Sequence, residues 1–181
     1  MASSLITKKR IAKAFKELFL EKDFEKISIV TIMDRAGIRR QTFYNHFLDK
    51  YQLLDWIFQN DLKEQITDNL DFISGKHLLQ ELFHYLEEEQ PFYQKAFEIH
   101  GQNNFFSYFI DYCQLIVEKI LTDYPGQSDF PQDSTFLAFH KNYQTLALAE
   151  TLKQVVQGQI PRPNPDYILA EITGTNLRRT L

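Results

Sequence analysis

Residues 39–46, with the sequence RRQTFYNH, concentrate side chains that donate and accept hydrogen bonds. Phe43 and Phe47 are four residues apart, which predicts that both point to the buried side of a short helix. The opposite side then carries Gln41, Thr42, Tyr44 and Asn45. Such groups match the donors and acceptors of DNA base edges and phosphates, and a helix fits the major groove of about 12 Å. The segment is therefore predicted to bind duplex DNA.

Two further helices are expected to position this segment. Apolar residues at helical spacing, with lysines on the other faces, predict an amphipathic helix over 7–22. Ser28 should cap a short second helix, and Gly37 should end it in a tight turn. A third helix is expected at about 39–47. Helices this short persist only when packed together, and two of them joined by a glycine turn are typical of a helix-turn-helix.

The charge of the chain is divided unevenly. Residues 1–50 hold 11 Lys and Arg against 6 Asp and Glu, whereas the remaining 131 residues hold 9 against 18. A basic N-terminal part on an acidic body is typical of a protein that meets a polyanion with one end. The alternative is a chance cluster of solvated lysines on the first helix.

The N-terminal third of the chain resembles the DNA-binding domain of the TetR family of bacterial transcription regulators. The matching positions follow the family pattern in one order without a gap: Ser28, Ile29, Ile32, Ala36, Gly37, Ile38, Thr42, Phe43, Tyr44, His46, Phe47, Lys50, Leu53 and Leu54. The resemblance implies an N-terminal helix-turn-helix domain followed by a helical regulatory and dimerisation domain, without a cofactor. We expect the boundary between residues 1–50 and 51–181.

The resemblance also implies roles for single residues. Thr42, Tyr44 and Lys50 should contact phosphates, together with the amides at the starts of the second helix, at Ser28, and of the fourth helix. The first helix should bring Thr7 and Lys8 to the neighbouring strand. Arg40 and Gln41 are the candidates for reading bases directly. His46 either contacts DNA or stacks inside the domain.

Two positions depart from the family pattern, since Arg39 replaces the usual serine and Gln41 the usual glycine. An arginine at a helix start lacks the oxygen of a cap and opposes the positive end of the helix dipole, at a cost of about 1 kcal/mol. We therefore expect Arg39 to gain a compensating contact with a guanine edge or a phosphate. A solvent-exposed arginine without a role is the alternative.

The rest of the chain is also helical by its periodicity. Helices are expected at Lys50 onward, 77–89, 91–100, 104–123 and 135–157, with a last helix that begins at Asn164-Pro165. No alternating strand pattern is present, so the fold is predicted to be all-α.

The last two predicted helices are the candidates for a homodimer interface. The resemblance places dimerisation there, and helix 135–157 has apolar groups on more than one face, so that it needs cover on two sides. The interface candidates are Tyr143, Leu146, Ala149, Leu152, Val156, Tyr167, Ile168 and Ile172. A helix buried wholly in the core of its own chain is the alternative.

Eight aromatic residues between positions 92 and 112 allow two interpretations. They either line a pocket for a small effector or form a tightly packed core, and few polar groups converge there to orient a ligand. The string RRQTFYNHFLDKYQLLDWIF is similar to TetR-family regulators of bacterial dihydroxyacetone kinase operons. This similarity implies activation with a protein coactivator related to a kinase subunit, for which some aromatics could form the docking surface. A repressor released by a small ligand is the alternative.

Other classes of protein are disfavoured. The five histidines and the single Cys113 show no metal-binding spacing, and no glycine-rich phosphate loop or nucleophile motif appears. An enzyme is therefore not expected, whereas an adaptor whose helix-turn-helix no longer binds DNA remains an alternative. The N-terminus turns polar too soon for a signal peptide, and no long apolar run is present, so a cytoplasmic protein that does not bind membranes is expected.

Overall fold

A computed structural model of the chain describes residues 2–65, 73–100, 104–124 and 133–175. Within these ranges the chain forms α-helices and short 3-10 helices but no strand, which confirms the all-α prediction. The α-helices are α1 (Ala2–Glu21), α2 (Ile29–Ala36), α3 (Lys50–Gln65), α4 (Gly75–Glu88), α5 (Gln90–Phe97), α6 (Phe105–Asp123), α7 (Ser134–Val156) and α8 (Pro165–Thr173). The 3-10 helices are Phe24–Lys26 and Arg40–Asn45. None of these α-helices is long and apolar enough to cross a membrane.

The structure differs from the sequence-based expectation in the bounds of some helices and in the type of one. The first helix begins at Ala2, five residues before the expected start, and α5 ends at Phe97 instead of residue 100. The expected α-helix at 39–47 is a 3-10 helix over Arg40–Asn45. Its hydrogen bonds join residues three apart, such as Thr42 N to Arg39 O at 2.9 Å. A segment of six residues can form only a few hydrogen bonds between residues four apart. Short connecting segments therefore often adopt the 3-10 helix, whose hydrogen bonds join residues three apart.

The chain divides into two compact units, and the first contains two separate stretches of sequence. Unit 1 comprises Met1–Glu64 and Pro91–Phe105, and unit 2 comprises Gln65–Gln90 and Phe106–Leu181. Most of α5 therefore belongs with the N-terminal helices. The expected boundary between residues 50 and 51 concerns the functions of the two parts and stays a prediction.

Aromatic side chains dominate the core of unit 1. Phe15 and Phe19 of α1 are buried and stack at 5.4 Å, and the ring of Phe92 from α5 meets Phe19 edge-on at 5.2 Å. Phe58 of α3 contacts Tyr93 at 5.9 Å. Because these rings are buried and meet in favourable stacked or edge-on geometry, they contribute more than their buried area alone.

Unit 2 depends on a close approach of α4 and α6. A Cβ atom at Gly75 would lie 2.6 Å from Ile120 Cγ1, so only glycine fits there. The Gly75 N–H donates to the carboxylate of Asp123 at 2.6 Å, which ties the first turn of α4 to the last turn of α6. In the same unit, buried His140 of α7 hydrogen-bonds to the carbonyl of Ile172 in α8 at 2.8 Å.

The packed-core interpretation of the aromatic cluster is confirmed for most of its members. Six of the eight side chains are buried: Phe92, Tyr93, Phe97, Phe105, Phe109 and Tyr112. The first four of these belong to unit 1 and the last two to unit 2, so the cluster serves two cores.

Candidate nucleic-acid interface

The Arg40–Asn45 helix and the preceding Arg39 place a polar surface over a buried aromatic base. Phe43 and Phe47 are buried as predicted, with ring centroids 5.6 Å apart. The side chains of Arg39, Arg40, Gln41, Tyr44 and Asn45 are exposed, and that of Thr42 is half-buried. These six residues are called the recognition surface below. They offer cationic donors, an amide pair and hydroxyls, which is the chemistry that base edges and phosphates require.

Arg39 takes the capping position without performing the function of a cap. Its backbone is extended, with φ −60° and ψ 136°, and its side chain makes no capping hydrogen bond. The exposed guanidinium is therefore placed at the start of the recognition surface. This geometry agrees with the sequence-based view that Arg39 does not stabilise its own helix.

The helix-turn-helix geometry before the recognition surface follows the prediction closely. Ser28 caps α2, because its hydroxyl accepts the Thr31 N–H at 3.1 Å. Gly37 ends the helix in the left-handed region with φ 64°. A side chain is strained in that region, and a Cβ atom would also come within 3.0 Å of the Arg10 guanidinium.

An ion pair that the sequence analysis missed holds α2 against α1. The Arg35 guanidinium donates to both carboxylate oxygens of Glu21, at 3.1 and 2.9 Å, and also reaches Glu17. The hydrogen bond from Arg35 holds the pKa of Glu21 below its ordinary value. The acidic residues of the first helix and the basic end of the second were the signal that could have revealed it.

The two candidates on the first helix lie within it, not at its start. Thr7 and Lys8 are half-buried in the second turn of α1. The Lys8 ammonium lies 5.4 Å from the ring centroid of Phe47 and 5.5 Å from that of Trp56. These cation–π contacts place Lys8 beside the aromatic base of the recognition surface.

Lys50 is directed into unit 1. Its ammonium donates to Phe24 O at 2.7 Å and to Ile27 O at 3.4 Å, and it lies 4.2 Å from the centroid of the Phe24 ring. Only 16% of its side chain is exposed. These contacts use two of the three donors of the ammonium group, which the family resemblance assigns to a phosphate contact. Lys50 thus supports the link between α1 and α2, and its phosphate contact stays a prediction.

His46 is half-buried at the end of the 3-10 helix. Its backbone N–H donates to Phe43 O at 2.9 Å, and its ring lies 6.4 Å from that of Phe47 in a tilted arrangement. The ring therefore packs on the aromatic base while one side remains accessible. This placement is compatible with both roles weighed from the sequence.

The eight candidates for the homodimer interface separate into two groups in unit 2. Ala149, Leu152, Val156 and Ile172 are buried within the single chain. Their part in a homodimer interface stays a prediction. Tyr143, Leu146 and Tyr167 are exposed, and Ile168 is half-buried.

The exposed candidates belong to one apolar face. Phe139 and Tyr143 stack at 5.8 Å on α7, and a groove of about 330 Å³ lies between α7 and α8. The groove is lined in part by Tyr143, Ala147, Tyr167 and Ile168. We call the exposed residues Phe139, Tyr143, Leu146 and Tyr167 the α7–α8 face.

A metal site and a reactive thiol place requirements on the side chains in the described part of the chain. No group of three or more His, Cys, Asp or Glu side chains there could hold a metal ion. Cys113 is fully buried, and desolvation raises the pKa of its thiol well above the ordinary value. A buried thiol in its neutral form is a poor nucleophile.

A helix-turn-helix with an exposed polar and cationic surface defines a DNA-binding protein. Residues 11–57 match bacterial regulatory proteins of the tetR family, and residues 76–173 match the transcriptional regulator C-terminal region of TetR-type proteins. The chain belongs to the TetR family of transcription regulators, and its relatives are regulators, not enzymes.

The sequence is also similar to those of individual bacterial proteins. The chain is 40% identical over 159 residues to the HTH-type dhaKLM operon transcriptional activator DhaS of Lactococcus lactis, which covers 87% of this chain and 84% of that protein. It is 35% identical over 74 residues to the transposon Tn10 TetC protein of Escherichia coli, which covers 39% of this chain and 38% of that protein.

Two solved structures share the fold of this chain, and one of them supports the family assignment. A structure of the dihydroxyacetone kinase operon activator DhaS is 35% identical, with a TM-score of 0.71, and covers 94% of this chain and 93% of that chain. A tetR-family transcriptional regulator from Streptomyces coelicolor, at 16% identity and a TM-score of 0.57, covers 92% of this chain and 77% of that chain and shares the fold.

Proposed function

We propose that this chain is a cytoplasmic activator of a dihydroxyacetone kinase operon that works with a protein coactivator related to a kinase subunit. The observation that carries the proposal is the extent of the similarity to DhaS, which spans 159 residues and both units. The similarity to TetC spans 74 residues. A shared DNA-binding domain supports only a shared mode of DNA binding, whereas similarity across the regulatory part supports a shared mode of regulation.

The recognition surface is proposed to contact the operator directly. Arg40 and Gln41 would read base edges, and Thr42, Tyr44 and Asn45 would bond to phosphates or to neighbouring bases. Arg39 would reach a guanine edge or a phosphate. The amides at the start of α2, after Ser28, would bind a phosphate at the positive end of the helix dipole. Thr7 and Lys8 would lie near the neighbouring strand, with His46 at the edge of the contact.

The operator is proposed to be bound by a homodimer. A single helix-turn-helix reads only a few base pairs, and two copies spaced by one turn of DNA multiply the specificity. The α7–α8 face supports this proposal, because it exposes several large apolar side chains together on the final two helices. An exposed apolar patch of this kind is typical of a protein contact.

A protein partner agrees with the packing of the described core. The space beside Phe83 and Leu152 in unit 2 has a volume of about 20 Å³, which is room for about one water molecule and not for an organic ligand. Most of the aromatic side chains that could have lined a ligand site are buried against one another.

An in vitro transcription assay tests the proposed function. The template carries the promoter of a dihydroxyacetone kinase operon from the source genome, and the reactions contain the full-length chain with and without the kinase-related protein and dihydroxyacetone. We expect transcript levels to rise only when both proteins are present. A Gln41→Ala variant serves as the control, because it should keep its fold but bind this operator more weakly, so that transcript levels rise less. Transcript levels that fall on addition of the chain and recover with a small ligand would instead indicate a repressor.

A further inference from the structure

We propose that Lys95 of α5 is a positioning residue for DNA binding, which acts by holding the C-terminal end of α1. The Lys95 ammonium donates to three backbone carbonyls at this end, those of Phe19 at 2.8 Å, Leu20 at 3.1 Å and Lys22 at 3.3 Å. It also lies 5.9 Å from the centroid of the Phe19 ring. Lys95 thus caps a helix of the DNA-binding unit from a segment far along the sequence.

The chemistry of a helix end explains why a lysine suits this position. The last carbonyls of an α-helix have no partner within the helix and carry its partial negative charge. An ammonium group has three donors and a compact positive charge, so it can bind three such carbonyls at once. Hydrogen bonds from a charged donor are about twice as strong as neutral ones.

The end of α1 leads directly into the elements that face DNA. After Lys22 the chain forms the Phe24–Lys26 helix and reaches the Ser28 cap of α2 within six residues. Phe24 packs edge-on against Phe19 at 5.9 Å, and its carbonyl accepts the hydrogen bond from Lys50. Two lysines, one from α5 and one from α3, therefore hold the corner between α1 and α2.

The aromatic packing of α5 strengthens this inference. Phe92 lies three residues before Lys95 on the same helix and meets the Phe19 ring at 5.2 Å. One face of α5 thus contacts both the ring and the carbonyl of Phe19. Residues 91–105 belong to the same compact unit as the N-terminal helices, although the tetR-family match ends at residue 57. When the Lys95 side chain is removed, the connection between α1 and α2 should become more mobile. The orientation of α2 relative to α1 should then no longer be fixed.

A comparison of Lys95→Met with Lys22→Met tests the proposal. Both variants remove one positive charge at the same corner, but only the first removes the bonds to the carbonyls. Operator affinity is measured by fluorescence anisotropy over a range of salt concentrations, well below the melting temperature of each variant. We expect Lys95→Met to bind about tenfold more weakly and Lys22→Met to stay within about threefold of the wild type.

The salt dependence distinguishes positioning from direct contact. Because Lys95 acts through α1, the slope of log affinity against log salt should be unchanged in Lys95→Met, and Lys95→Arg should recover most of the affinity. A slope reduced by about one unit would mean that Lys95 binds a phosphate itself, which overturns the proposal. Wild-type affinity in folded Lys95→Met would overturn it as well. If Lys95→Met does not fold, operator affinity is measured for Lys95→Gln instead. We expect this variant to bind the operator with an affinity between those of the wild type and a tenfold weaker protein. Wild-type affinity of Lys95→Gln would contradict the proposal.

Discussion

Arg39 is the residue at which DNA binding and helix stability should be separable. Its extended backbone suits a capping residue, but its side chain makes no cap. Arg39→Ser supplies a hydroxyl for the free amides, so the melting temperature should stay the same or rise. Operator affinity should fall, because the compensating contact with DNA is lost. Calorimetry and anisotropy on the same samples measure the two effects, and unchanged operator affinity would contradict the proposed contact.

Single residues also show where sequence reasoning succeeds and where it fails. The Ser28 cap and the Gly37 turn were predictable, because both depend on neighbours within a few residues. The internal contacts of Lys50 and the cap supplied by Lys95 were not, since their partners lie 26 and about 75 residues away. Local patterns show that a lysine is present but not which carbonyl it reaches.

At the scale of elements, helix periodicity predicted all the described α-helices but not their partners. It gave the approximate bounds of α4, α6, α7 and α8 because apolar residues recur at helical spacing in each. It did not reveal that α5 packs in unit 1. The 3-10 form of Arg40–Asn45 was also missed, because the two helix types differ in hydrogen bonding more than in sequence.

The link between α4 and α6 should make the stability of unit 2 depend on pH. Burial alone would raise the pKa of Asp123, but the bonds from Lys119 and from the Gly75 N–H and the charge of Lys119 together hold it below the ordinary value. A carboxylate whose pKa is lowered on folding stabilises the protein fully above its unfolded pKa, near 3.9. This stabilisation is lost as the pH falls through the lower, folded-state pKa.

Asp123→Asn should therefore be less stable than the wild type at pH 7, by about 1–3 kcal/mol. The difference should shrink as the pH falls below about 4 toward the lower folded-state pKa, because Asp123 of the unfolded wild type binds a proton before Asp123 of the folded protein does. Urea unfolding of both proteins between pH 3 and 7 measures this. A difference that stays constant over the whole range would contradict the role of the ionised carboxylate.

At the scale of the whole molecule, the central structural prediction is a dimer formed through the α7–α8 face. Tyr143 is 59% exposed in the single chain, so Tyr143→Glu should fold normally but place a charge in the interface. We expect a shift from dimer to monomer in analytical ultracentrifugation and a loss of operator affinity. Leu115→Glu is the matched control, because Leu115 is 50% exposed on α6, outside this face. Equal dimerisation of both variants and the wild type would contradict the assignment.

The role of the recognition surface in reading DNA is tested most directly by selection of binding sites from a pool of random duplexes. The full-length wild type should enrich one sequence with two-fold symmetry and two half-sites about one turn apart. Gln41→Ala should relax the preference at the base pairs that this residue contacts, at a cost of about 1–3 kcal/mol in discrimination. Gln59→Ala, which changes an exposed glutamine farther along α3, should enrich the wild-type sequence. A wild-type protein that enriches no sequence, or a Gln41→Ala selection identical to that of the wild type, would contradict the account.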